Sequence, residues 1–304
     1  MAASGAVAER RPGLREALKQ ERWFALVMIA PAFMALLLTT TFPLVYLVYN
    51  SAFTINLTMP FLDGFAGIAN YAEMLADQRF WHALGLTVIY TLTTVLLQVV
   101  VGLGLALLVL QIPKGQWLFR IVAILPIVLA PVVVGLIWRS LLLTPESGIV
   151  DLAAIALGFG SFNWLGDPEM ALVSVIAVHT WQWTPFAFLV MLASLASVPP
   201  DLYEAARIDR ANAFRRFVYI TLPLIRPAIV IVIILRTIIA LSAFAAILAL
   251  TGGGPGTATE ILNLYAYRTA FIELNFGYGS ALAVTLLIIT LIVSAILFRI
   301  RTAR

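Results

Sequence analysis

Four residues share one face of a strongly apolar stretch: His179, Gln182, Trp183 and Phe186, spaced i, i+3, i+4 and i+7. An imidazole, an amide and two aromatic rings on one helical face suit a sugar. Hydroxyls need hydrogen-bond partners, and the apolar face of a pyranose stacks on a ring. The same residues serve equally well to pair with neighbouring helices, with Trp181 and Trp183 in an interfacial aromatic belt. Both readings stand on sequence alone. Gln98 lies in a second apolar run and is a further candidate for this face. Arg236 lies in a third, eight residues past Ala228 and so ~12 Å into a helix. A guanidinium there has three uses: reaching the near interface along its own stem, pairing with an acid from a partner chain, or gating a path.

Other chemistries do not assemble. The chain has no Cys, which removes thiolate and disulfide chemistry. Its two histidines, His82 and His179, have no acid cluster beside them, so no metal site is expected. Paired carboxylates or a Ser/His/Asp set are missing from the apolar runs, and no enzymatic activity is expected. A phosphate-binding loop ends in Gly-Lys-Ser/Thr, whereas Lys19 precedes Gln20 and Lys114 precedes Gly115. If ATP drives this protein, the ATP and magnesium belong to another chain.

The elements that must position these residues are spanning helices. The chain is 62% hydrophobic and 11% charged, where soluble domains carry about 25% charged residues. That few charges cannot cover a globule, so most of the chain is solvated by lipid. Six stretches reach the roughly 20 apolar residues that a span requires: 24–49, 84–110, 118–142, 170–197, 228–250 and 281–299. The expected fold is an all-α integral membrane protein of six transmembrane helices. It comprises an N-terminal segment 1–23 and a membrane domain 24–300, with no internal repeat. The first run is too long for a cleaved signal and reads as the first span. Gly102, Gly104, Pro126 and Pro131 are expected to mark close packing and kinks. Pro185 is expected to kink the fourth span and free the carbonyl of Trp181. Positive charge is lopsided. The two termini and the loops after spans two and four hold most Lys and Arg, whereas the opposite loops hold only Arg79, Arg139 and Arg268. Both termini are therefore expected in the cytoplasm. The net charge of +4 is a matter of this distribution and no sign of nucleic acid.

Between spans four and five lies a polar insert, 198–227, far longer than a turn needs. Pro199-Pro200 ends the span. Asp201 followed by Glu204 resembles a capping box, so a helix is expected from Asp201 with Leu202, Ala205 and Ala206 as an apolar, mostly small surface. A second helix is expected over about 211–220, carrying Ala211, Phe214 and Phe217 on one side and Arg215 and Arg216 on the other. Pro223 and Pro227 are expected to break it before span five.

Glu204-Ala205-Ala206, Asp209, Ala211, then Ile220, Leu222 and Pro223 resemble the EAA loop of permease subunits of binding-protein-dependent ABC importers. Arg210 stands where that signature has glycine. Arginine disfavours positive φ, so either the helix runs on or the turn closes differently. Thr251-Gly252-Gly253-Gly254-Pro255, Thr259, Tyr267, Ala270-Phe271 and Gly277-Tyr278 are similar to the external loop of carbohydrate-type permeases, and Trp138 with Gly148 adds to the likeness. The resemblance covers about residues 20 to 300. It is nearest to the maltose-type first permease subunit without its large periplasmic insert, and a trehalose-type actinobacterial importer is a specific case.

The resemblance implies a type I ABC importer permease fold in the bacterial inner membrane. Its partners would be a second and different permease, an ATPase dimer and an extracytoplasmic substrate-binding protein. The solute would be a sugar, such as the disaccharides trehalose or maltose. Glu204 would anchor the loop in an ATPase cleft, with Ala205, Ala206 and Ala211 giving a close fit. The external loop Gly252, Gly253, Gly254 and Pro255, and the segment at Asn163 and Trp164, are candidate surfaces for substrate or binding protein. Ordinary turn chemistry explains both equally well. The alternative is an ion-driven secondary transporter, which calls for intramembrane acids; none falls within the six spans.

Overall fold

The computed structural model describes residues 14–112 and 114–302. The N-terminal residues 1–13, with Arg10 and Arg11, and the terminal Arg304 lie outside the described residues. In chain order the helices are α1 Leu14–Leu36, α2 Phe42–Ser51, α3 Ala69–Ala76, α4 Gln78–Gln111, α5 Gln116–Val128, α6 Pro131–Ile137 and α7 Ile149–Ala156. They continue as α8 Pro168–Ala196, α9 Pro200–Ile208, α10 Ala213–Arg216, α11 Leu222–Leu241, α12 Ala245–Leu250, α13 Leu262–Tyr267 and α14 Phe276–Thr302. Short π-helical turns join α1 to α2 and α10 to α11 without breaking their course. The only sheet among the described residues is a hairpin of two-residue strands, Phe53–Thr54 with Gly64–Phe65.

Five helical segments are long and apolar enough to cross a membrane: Leu26–Ser51, Gln78–Gln111, Pro168–Ala196, Ala213–Leu241 and Phe276–Ile300. A sixth exists if Gln116–Val128 and Pro131–Leu142 count as one span, but these two meet at 98°. The expected third span, 118–142, is thus a broken one. Leu129 and Ala130 are extended because Pro131 excludes its predecessor from the helical region and then starts the next helix. The fifth span also departs from 228–250. It runs from Ala213 to Leu241, and Ser242–Phe244 separates it from the short α12. Pro223 and Pro227 do not break it. Pro223 directly follows the π-helical turn Phe217–Thr221, and Pro227 sits inside the continuing helix. Pro185 likewise lies within an uninterrupted α8.

Helix starts follow side-chain capping. Asp77 accepts from the N–H of Arg79 to start α4, and Asp167 accepts from Glu169 and Met170 ahead of Pro168 to start α8. Asp201 is not a cap: α9 begins one residue earlier at Pro200, leaving Asp201 in the first turn with no side-chain cap bond. Asn212 caps α10 instead, accepting from Arg215, so the second helix starts at Ala213 rather than Ala211.

The centre of the molecule is the α4–α8 pair, onto which α11 and α5 pack. Gly102 makes the crossing possible. A Cβ there would stand 2.7 Å from the Cβ of Ala187 and 2.9 Å from the N of Phe188. Gly104 faces open space. One apolar cluster, with Val109, Phe188, Met191, Leu195 and Ile225, lies toward the 198–227 insert. Another, with Tyr90, Val175, Ile247 and Leu264, lies toward the opposite face. A third packs α13 and α14 against the start of α4. The first span meets this core through its α2 half, which packs on α14 and bonds α3 through Ser51, and its described large apolar side chains mostly face outward.

Gly102→Val is expected to lose about 1–3 kcal/mol by overpacking the α4–α8 crossing. Gly104→Ala is expected to be neutral or slightly stabilising. Thermal unfolding of the purified protein in detergent checks both.

Candidate functional site

The break between α5 and α6 bares the carbonyl of Leu129, and Gln182 on α8 donates to it at 3.2 Å. Irregular backbone at membrane depth persists only where such a partner exists. A second irregular segment, the end of α11 leading into α12, faces the first. Gly135 of α6 brings the two short helices close: a Cβ there would stand 2.7 Å from the carbonyl of Ala246. Between them lies a cavity of about 240 Å³ lined by Tyr90, Pro131, His179, Gln182, Trp183 and Ser242, among others.

Behind its wall sits Arg236, fully buried. Its Nε donates to Oε1 of Gln98 at 2.7 Å, and Nη2 bonds Nε2 of His179 at 3.1 Å. Arginine has no acceptor, so Nε2 of His179 must accept, and a neutral ring carries its proton on Nδ1. The guanidinium carbon lies 4.4 Å from the centre of the Trp183 ring, a cation–π distance. Arg236 therefore does not reach the interface of the 198–227 insert. The span begins earlier than expected, which leaves Arg236 five residues from its other end at Leu241, roughly 8 Å by helical rise.

Five of the six path candidates thus come together: Gln98, His179, Gln182, Trp183 and Arg236. Phe186 does not join them; it packs among Phe188, Met191 and their neighbours, one turn further along α8. The competing reading of the aromatic residues divides. Trp181 is partly exposed and packs edge-on against Trp138, but it lies midway along α8 rather than at an end where a belt would be, and Trp183 turns in over Arg236. Tyr90 completes the group, its ring 5.1 Å from that of His179. It escapes sequence reading because a tyrosine inside an apolar run carries no periodic signal of its own.

On the face of the 198–227 insert, α9 stands out with Glu204, Ala205 and Asp209 exposed. Ile208 is exposed too, at 82%. Ala206 is buried, so it supports the helix rather than presenting a surface. Ala211 and Leu222 are half-buried and Pro223 is exposed. Arg210 settles its own question by adopting φ 56°. The N–H of Ala211 bonds Ala206 O at 2.9 Å and that of Arg210 bonds Arg207 O at 3.0 Å. This is the paired closure of a helix by a left-handed residue, made here without glycine.

On the opposite face, the candidate loops are held by turn chemistry. Asn163 accepts from Gly166, and the indole of Trp164 donates to Asp151 at 2.8 Å. Asp151 also accepts from the N–H groups of Phe162 and Glu146 and from Ser161. The Phe162 and Ser161 bonds lead in lowering its carboxyl to about 2, against burial, with Glu146 and Trp164 adding to them. Gly252 and Gly253 take positive φ, and Gly253 is buried against Leu264. Gly254 accepts from Thr259 at 2.9 Å, and both it and Pro255 are half-buried. An anchor absent from the sequence reading lies beside this loop. Glu260, wholly buried, takes two bonds from Arg79 and one from Arg268, and Arg79 reaches Glu273 as well. Its partners lie up to 181 residues away in sequence, and the one local signal is an acid directly ahead of an apolar helix.

Residues 98–302 match the family described as binding-protein-dependent transport system inner membrane component. The chain belongs to this family. The permease is 39% identical to the sulfoquinovosyl glycerol transport system permease protein SmoG of Agrobacterium fabrum, covering 92% of this chain and 91% of that one. It is 36% identical to the trehalose/maltose transport system permease protein MalF of Thermococcus litoralis, covering 75% and 76%. Its fold matches a crystal structure of a bacterial ABC transporter involved in the import of the acidic polysaccharide alginate. That match has a TM-score of 0.81 at 22% identity and covers 95% of this chain and 98% of that one. The permease is thus a multi-pass membrane protein with the ABC importer permease fold and a transport subunit rather than an enzyme. This membership sets aside the ion-driven alternative.

Two outcomes follow. Arg210→Gly is expected to keep the closure of α9 and add about 1 kcal/mol, since a non-glycine left-handed residue costs roughly 1–2 kcal/mol; thermal unfolding measures it. Asp151 has a folded value below its ordinary 3.8, so its contribution is complete above that value and lost as pH falls from about 4 toward 2. Hydrogen exchange of residues 146–164 is expected to accelerate across that window in the parent and at every pH in Asp151→Ala.

Proposed function

We propose that the permease forms half of the translocation path for a sugar of about disaccharide size, and that α9 couples this path to a cytoplasmic ATPase. Trehalose and maltose are the neutral candidates. One observation carries the reading: α8 bears the cavity residues His179, Gln182 and Trp183 and leads directly into the exposed α9. Trp183 lies 13 residues before the end of α8 at Ala196, about 20 Å along a single stiff rod. A push on α9 therefore arrives at the cavity wall.

In this reading both termini and the 198–227 insert lie in the cytoplasm of a bacterium, as the positive charge directs. Glu204, Ala205, Asp209 and Ile208 meet the ATPase, Ala206, Ala211, Leu222 and Pro223 set the loop's shape, and ATP and magnesium bind the ATPase dimer. A second, different permease closes the other half of the path. A soluble binding protein delivers the sugar to the opposite face near Gly252–Pro255 and Asn163–Trp164. The sugar would meet Gln182, Trp183 and His179, with Gln98 and Arg236 behind them.

A tagged pull-down from native membranes, parent beside Glu204→Lys, tests the coupling. An ATPase and a second permease are expected with the parent, with the ATPase reduced tenfold or more in the variant. Because Glu204 is exposed, its loss leaves the fold intact. Recovery of this chain alone in both samples would overturn the reading.

A further inference from the structure

The buried cation behind the cavity wall has no counter-charge among the described residues. The ion pairs formed among the described residues join Arg79 or Arg268 to Glu260 or Glu273, on the loop side of the molecule, and none involves Arg236. Its partners are neutral: an amide oxygen, a ring nitrogen and an indole face. A buried charge without a paired charge is costly. The group is also short of hydrogen bonds. Nη1 of Arg236, the hydroxyl of Tyr90 and Oε1 of Gln182 are all buried and have no partner among the described residues, with residue exposures of 0%, 0% and 1%. Tyr90 and Gln182 line the cavity, and Arg236 touches two more of its walls, His179 and Trp183.

Two unfilled polar groups in the wall of the cavity, Tyr90 and Gln182, and one uncompensated positive charge directly behind that wall describe what should enter it. A neutral sugar supplies hydroxyls but leaves the charge alone. A free anion answers the charge but leaves Trp183 without a ring to stack on. We propose that the permease selects a sugar bearing one anionic group, a carboxylate or sulfonate, with Arg236 supplying the counter-charge and Tyr90 a hydroxyl donor. The cavity, about 240 Å³, lies below the roughly 300 Å³ at which ligand pockets usually begin and has room for one sugar unit, so the acidic unit is the one that docks here. This rests on the path reading above and chooses within it against neutral trehalose and maltose.

Equilibrium dialysis of the assembled transporter, without its binding protein, against radiolabelled glucuronate, glucose and acetate tests the proposal. Glucuronate is expected to bind at least tenfold more tightly than glucose or acetate, and Arg236→Gln to bring it down to the level of glucose. Trp183→Ala is expected to weaken both sugars and leave acetate unaffected. Equal binding of glucuronate and glucose, with Trp183→Ala weakening both, overturns the anionic preference and keeps the sugar path. Acetate binding as tightly as glucuronate shows a bare anion site and overturns the sugar acid. Binding of neither sugar overturns the path and the preference together. If Arg236→Gln fails to assemble, the ratio of glucuronate to glucose in the parent still decides.

Discussion

The guanidinium of Arg236 holds the membrane domain together at its centre. It grows from α11, donates to Gln98 on α4 and to His179 on α8, and lies over Trp183 one turn along from His179. Three spanning helices are thereby tied at one point by hydrogen bonds that have no competitor in lipid. Such a group is tolerated only where geometry supplies acceptors from several directions. The two hydrogen bonds it does make fix the register of α4 against α8, which the Gly102 contact with Ala187 fixes again about one turn away.

The cavity is a consequence of the same need to satisfy polar groups away from water. A helix broken within the membrane exposes carbonyls that must find donors. The α5–α6 break finds Gln182, and the α11–α12 break places Phe244 and Ser242 beside it. Two interruptions, the first satisfied by Gln182 and the second by the amide of Asn263, which donates to the carbonyls of Ser242 and Ala243, produce a hollow with a few polar groups in a mostly apolar wall. The loops over the opposite face are pinned separately, by Asp151 and by the Arg79–Glu260–Arg268 group, so they hold their shape independently of what fills the hollow.

At the other end, α9 shows how a surface element is kept both rigid and available. Ala206 and Tyr203 anchor it, the latter through a 2.9 Å bond to Thr221, while Glu204, Ala205 and Ile208 stay outside. Arg210 closes the helix in a conformation usually left to glycine. The two closing hydrogen bonds offset the local strain, so the helix closes here without a glycine.

Much of this was legible in the linear chain. Composition and run length demand spanning helices because lipid leaves no other way to satisfy the backbone. The residues that resemble an EAA loop fall on the exposed α9, and i, i+3, i+4 spacing brought His179, Gln182 and Trp183 onto one face because a helix has a fixed period. Tertiary structure alone decided how those faces meet. Phe186 has the right spacing yet falls beyond the cavity, since a helix face is longer than the hollow it borders. Arg236 and Gln98, 138 residues apart, become partners only when α11 and α4 cross. The breaks at Leu129 and Ser242 depend on donors from other helices, so local propensity could not distinguish a kinked span from a broken one. Sequence determines which segments must leave water and with what periodicity; the pairing of buried polar groups, a property of three dimensions, decides where they stop.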